Sequence, residues 1–275
     1  MRLDTFEVRP LREFKMKPNG YPWGVFLILL IAAVFGVMAS FPFVFSLYAD
    51  MLARAPIPLP AVFGLALVQN TVILGVIIGV GLLLTTKLGL PGPSLIEDWR
   101  SHKPIGDKLR ALIPLAVMTG LGVGIAVLLM LVLLLRKELP QLPIGKAVLI
   151  PIWRRLLICF YGGLTEEILM RVFLFSLLAW LLNKLSRTRE RPPKRKVIGV
   201  ANILLAILFG LGHLASVVPF MPITLKIVLG ALLLNGVASI AFTSLYLKRG
   251  LEAAMLSHFV ADFVIWVIGP MFIAR

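Results

Sequence analysis

Long apolar runs separated by short polar and basic segments make up most of the chain. A helix needs about 20 apolar residues to cross a hydrocarbon core of roughly 30 Å. Seven stretches reach that length: 23–48, 60–86, 109–135, 147–183, 197–217, 222–247 and 251–272. Lipid offers no water to pair with backbone N–H and C=O groups, so each stretch must be helical. Pro42, Pro114, Gly120, Gly122 and Gly124 fall inside these runs. In lipid such residues act as kinks and close-packing points. The first run exceeds the about 7 to 15 apolar residues of a signal-peptide core, and reads as a span that is retained.

The fourth stretch is too long for one straight crossing and carries Arg154, Arg155 and the pair Gly162-Gly163 in its first half. An interfacial or re-entrant helix up to about Phe160, followed by a single span, accommodates it. The prediction is an all-α, polytopic transmembrane helix bundle of seven spans plus one partial or interfacial helix. Residues 1–22 form a cytoplasmic N-terminal segment and 23–275 a single transmembrane domain. The stretch Leu88 to Trp99, broken by Pro and Gly, reads as a cytoplasmic surface segment.

Composition narrows the function classes. The chain is 59% hydrophobic and 15% charged, against roughly 45 to 50% and about 25% for soluble domains, which excludes an ordinary water-soluble enzyme. The net charge of +15 does not form a stripe for nucleic acid; the basic residues lie between the apolar runs, where they orient a membrane protein. With the N-terminus inside, nineteen Lys and Arg lie in cytoplasmic segments, seven of them between Lys184 and Lys196, and eight lie on the other face. A multi-pass protein of a prokaryotic cell membrane is expected. The single cysteine, Cys159, allows no intrachain disulfide and reads as a small buried hydrophobe.

Ionisable side chains inside spans are costly and mark functional positions. Glu166, Glu167 and Arg171 lie in the fourth run, His213 in the fifth, and His258 with Asp262 in the seventh. Glu167 and Arg171 are spaced i, i+4 and neutralise each other on one face. Glu166 is turned about 100° away, an uncommitted carboxylate able to take a proton from water. Phe209 and His213 share a face, flanked by Gly210 and Gly212, which admit close neighbours. His258 and Asp262 are again i, i+4; the carboxylate either fixes the imidazole tautomer or points into the same cavity. His102 sits in a polar loop and is solvated. No HExxH, GxSG or GxGD occurs, and Ser257 and His258, being adjacent on a helix, do not face each other.

The motifs EExxxR (Glu166 to Arg171), FxxxH (Phe209 to His213) and HxxxD (His258 to Asp262), in this order and each on an apolar run, resemble the CPBP family. These are CAAX-protease and bacteriocin-processing, Abi-like membrane proteases that include the type II prenyl endopeptidases. The resemblance covers about 150–270 and implies a catalytic core at 147–272. It implies an intramembrane endopeptidase acting on a membrane-associated or prenylated, CAAX-type substrate, in contact with membrane lipids and not nucleic acid. Glu166 and His213 would activate water, His258 and Asp262 would stabilise the oxyanion, and Glu167, Arg171 and Phe209 would support the site. An ionised Asp262 repels an oxyanion, so it must be protonated there or must orient His258. No cofactor is expected; the alternative is zinc held by Glu166, His213 and His258. Two other functions fit the same residues: a non-catalytic bacteriocin-immunity or scaffold protein that keeps them as a polar core, and a proton-coupled transporter. The chain has no matching pair of interrupted spans in its two halves, which counts against transport.

Overall fold

A computed structural model describes residues 21–54, 56–186 and 190–273. The N-terminal segment, expected to be cytoplasmic, therefore lies outside the described residues as far as residue 20, as do residues 187–189 of the basic loop. Seven helices are long and apolar enough to span a membrane: Trp23–Leu47, Leu59–Leu88, Gly106–Leu135, Ile152–Leu185, Arg195–Val217, Leu225–Arg249 and Leu251–Ile273. They are called the first to seventh spans below. No strand occurs among the described residues.

The fourth span departs from the sequence reading. The break falls at Ile150 and Pro151, not near Phe160, and the helix then runs unbroken to Leu185. Two short turns, Pro143–Lys146 and Ala147–Leu149, form the partial piece before it. Pro151 starts the helix where its missing N–H costs nothing. The Gly162-Gly163 pair does not end it, because a free backbone group in lipid is more costly than a wider turn. The chain adopts π-helical stretches at Tyr161–Glu166 and Ile168–Phe175 instead, with hydrogen bonds reaching one residue further back.

Helix contacts are set by small residues, as expected where lipid supplies no hydrophobic drive between helices. Gly120 and Gly124 of the third span lie against the seventh, where a Cβ would come within 2.7 Å of Val260 and of Val264. Gly122 faces open space. Gly210 of the fifth span meets the backbone of Ala231 and Leu232 in the sixth. Thr165 donates to the Ala33 carbonyl at 2.8 Å, joining fourth and first spans. The Thr85 and Ser176 hydroxyls, 2.9 Å apart, join second and fourth. Leu65, Val68, Val72 and Val76 of the second span stay exposed on the outer surface of the bundle, the face for lipid tails.

The sixth and seventh spans are joined by Gly250 alone, at φ 92°, a left-handed conformation that glycine adopts without steric cost. The segment after the second span includes a short helix, Ser94–Arg100, docked on the start of the seventh. Its first N–H groups, Leu95 and Ile96, donate to Glu252 Oε1 at 2.8 and 2.9 Å.

Candidate active site

Glu167 sits at the junction of the two π-helical stretches and joins fourth and seventh spans. Arg171 Nη1 lies 3.0 Å from Glu167 Oε1, and both side chains are fully buried. The same oxygen accepts from His258 Nδ1 at 2.7 Å. Arg171 also donates from Nη2 to the Ser239 carbonyl at 3.3 Å, and its guanidinium faces the rings of Phe209 and Phe242 at 6.0 and 5.8 Å. The result is a buried chain, Arg171 to Glu167 to His258, in which the ion pair gains hydrogen bonds from His258 and to the Ser239 carbonyl while Arg171 Nε and Glu167 Oε2 have no hydrogen-bond partner.

This chain fixes the imidazole. An ionised carboxylate only accepts, so Nδ1 of His258 carries the hydrogen bonded to Glu167. The ring is clamped from the side by Phe242, stacked at 4.7 Å and 26°. Nε2 is left facing Glu166 Oε2 at 3.8 Å and Asp262 Oδ1 at 3.7 Å. Both separations exceed a direct hydrogen bond and match a gap bridged by water or by a substrate group. Of the two parts open to Asp262, the structure gives it the second: it points into the shared space, and Glu167 does the orienting. Gly162 makes this possible. A Cβ there would overlap the Asp262 carboxylate and lie 3.1 Å from His258 Nε2.

His213 stands where the fifth span breaks, between the helices Arg195–Gly212 and Leu214–Val217. Its Nδ1 lies 2.8 Å from the Phe209 carbonyl. A carbonyl cannot donate, so Nδ1 carries the hydrogen and Nε2 of the neutral ring is the free acceptor. The Phe209 ring packs edge-on to His213 at 4.5 Å and lies 6.2 Å from His258. The two histidines, at different depths in spans that run the same way, are thus both brought into contact with one aromatic ring.

Glu166, His213, His258 and Asp262 line one cavity of about 320 Å³. Its other walls are apolar, from Leu47, Val127 and Leu131 among others. The remaining singled-out residues lie apart from it. His102 is exposed on a loop, Ser257 is buried, and Cys159 is buried with its thiol donating to the Arg155 carbonyl at 3.3 Å. Phe242, Tyr161 and Asn235 are among the cavity residues that escaped the sequence reading. Phe242 gave no signal, since an aromatic residue in a span is ordinary. Tyr161 was hidden in the same way. Asn235, whose amide donates to the Ala231 carbonyl at 3.0 Å, was a polar group inside an apolar run and so was open to detection.

A zinc ligand nitrogen or oxygen lies about 2.0 to 2.2 Å from the metal and at least three protein ligands are needed. Among the described residues no three His, Cys, Asp or Glu side chains are placed to hold a metal ion. Nδ1 of each cavity histidine is bonded, to Glu167 and to the Phe209 carbonyl, which leaves Nε2 as the available nitrogen of each ring.

Residues 148–264 match the family model described as type II CAAX prenyl endopeptidase Rce1-like. No curated protein and no solved structure matches the chain. The matched segment, similar to that family's domain, runs from the turns before the fourth span into the seventh.

Proposed function

We propose that this chain hydrolyses a peptide bond of a membrane-associated or CAAX-type substrate with a water activated by Glu166 and His213. The observation that carries the reading is the convergence of Glu166, His213, His258 and Asp262, from three spans, on one cavity, above the buried Arg171, Glu167 and His258 chain. A polar core kept for structure alone needs no cavity at its carboxylates.

In the reaction, Glu166 takes a proton from water while His213 Nε2 accepts a hydrogen bond from it and aims its oxygen at the substrate carbonyl. The C–O bond forms and the carbonyl oxygen becomes an oxyanion. With Nδ1–H committed to Glu167, His258 offers a donor at Nε2 as the imidazolium, with the Glu167 carboxylate as its countercharge and Asp262 protonated beside it. That donor stabilises the oxyanion. Glu166 then passes its proton to the amide nitrogen as the C–N bond breaks. Arg171 and Glu167 act through His258 and are positioning residues. Every step runs on side chains of this chain, without a resident metal.

Purified protein in detergent, given a peptide with a prenylated CAAX terminus or an apolar membrane peptide, tests this. Glu166→Gln and His213→Ala are expected to abolish hydrolysis while leaving the amount of folded protein unchanged. Full activity in Glu166→Gln would end the mechanism. Metal analysis of the active protein tests the remainder: one zinc per chain, with activity lost on chelation and restored by zinc, would overturn the metal-free route.

The distribution of basic residues supports an N-terminus inside the cell, since Lys and Arg collect in cytoplasmic loops. On that assignment nineteen face the cytoplasm and eight the outside, with Arg171 in a span.

A further inference from the structure

The cavity is confined to one half of the bundle. Its lining from the first span is Phe43, Val44 and Leu47, at the end remote from the N-terminus. The third span contributes only from Val123 onward, and the fifth only from Phe209 onward. Tyr48, Leu135, Ile144, Ser216 and Ile227, all at span ends or in the connection between third and fourth spans, line it as well. Among the described residues, none of the lining comes from the connections at the opposite end, between second and third, fourth and fifth, or sixth and seventh spans. The floor is Phe242 and His258. The mouth therefore lies at the end where the first span finishes and the sixth begins.

That end is poor in basic residues. It carries eight Lys and Arg, against nineteen at the closed end. Such a bias in short loops fixes the basic end in the cytoplasm. The open end then faces outward.

We infer that the site receives its substrate from the outer face of the membrane: an exported peptide, or the externally exposed segment of a membrane protein, with apolar side chains next to the cleaved bond. This rests on the endopeptidase reading for what happens in the cavity. The apolar walls accept such side chains by desolvating them. A volume of about 320 Å³ admits a short extended segment and not a folded domain. A prenylated protein on the cytoplasmic leaflet meets only the closed end, formed by the Gly250 turn, the docked helix Ser94–Arg100 and the basic loops.

The test uses the full-length chain with Cys159→Ala, carrying one new cysteine at a time and expressed in bacterial cells. Ser216→Cys lies at the mouth, with Leu47→Cys as a second mouth position should the first fail to accumulate. Ser101→Cys marks the closed end. A membrane-impermeant maleimide added to intact cells is expected to label the mouth cysteines, and to label Ser101→Cys only after permeabilisation. The reverse pattern, or labelling of the mouth only after permeabilisation, overturns the inference. Hydrolysis is read separately, in detergent and in sealed cells. An apolar peptide added outside is cleaved by wild type and not by Glu166→Gln. Cleavage only after permeabilisation overturns outward access. Absence of cleavage in detergent strikes the endopeptidase reading instead, and the labelling pattern still decides the access.

Discussion

Two adjacent glycines in the fourth span carry different parts of the structure, and substitution separates them. A Cβ at Gly162 meets the Asp262 carboxylate and lies 3.1 Å from His258 Nε2. Those are side-chain ends that can swing away, so Gly162→Ala is expected to fold but to displace the reacting groups. Misplacement of about 1 Å costs on the order of 100-fold in rate, and that loss of kcat at near-normal protein yield is the expected result. A Cβ at Gly163 meets Phe259 Cβ at 2.9 Å and the Met255 carbonyl at 3.0 Å. Backbone cannot give way so easily, so Gly163→Ala is expected to lower folded protein more than kcat. Arg171→Ala belongs with the second kind. It leaves Glu167 buried and without its cation, a change worth about 3 to 5 kcal/mol of stability, and the yield and thermal stability of the purified variant measure it. Activity that survives Gly162→Ala at the wild-type level would remove Asp262 and Nε2 of His258 from the reaction.

At the scale of elements, the docked helix Ser94–Arg100 shows which interactions hold a short segment to the bundle. A helix of this length is not stable alone. Two of its N–H groups are satisfied by Glu252 Oε1, and Asp98 is bonded to Lys108 with Lys103 at 3.5 Å. Burial works against the charge on Asp98, but the Lys108 ammonium bonded to it and Lys103 beside it hold its carboxyl below the usual range. A lowered folded-state value stabilises the native form above the ordinary carboxylate pKa of about 3.9, and this contribution is lost as pH falls through the lowered value. The contribution of Asp98 to this docking is thus expected to persist on acidification to about pH 4 and to fall only below that. Glu252→Ala is expected to speed amide exchange at Leu95 and Ile96 at neutral pH, and unchanged exchange there would show that other contacts hold the helix. The same scale separates what hydropathy could read from what it could not. Span length is a property of the apolar average, and all seven crossings followed from it. The start of the fourth span was misplaced because Gly162 and Gly163 have two roles that look identical in a sequence: breaking a helix, or letting a neighbour approach. The pairing of Glu167 with Arg171 followed from i, i+4 spacing. Its second bond, to His258 91 positions away, depends on how fourth and seventh spans face each other, which periodicity within one helix does not encode.

The family match ends short of the whole site. Residues 148–264 supply Glu166, His213, His258 and Asp262, yet Phe43, Val44 and Leu47 of the first span and Val123, Val127 and Leu131 of the third wall the same cavity. Gly120 and Gly124 of the third span also seat the seventh, which carries His258. A fragment of residues 141–275 keeps every reacting group, but it loses one side of the cavity and the helix against which His258 is positioned. Four spans remain, each apolar enough to insert, because a hydrophobic helix is stable in lipid before it finds its partners. The fragment is therefore expected to reach the membrane and to show no hydrolysis. Residues 1–140 expressed beside it supply the missing wall. The cut at Pro140 lies in the connection between third and fourth spans and severs no span. Co-expression is expected to restore activity, with the two pieces purifying together. Hydrolysis by 141–275 alone would show that the matched segment positions His258 without the third span, and would reduce the first three spans to an anchor.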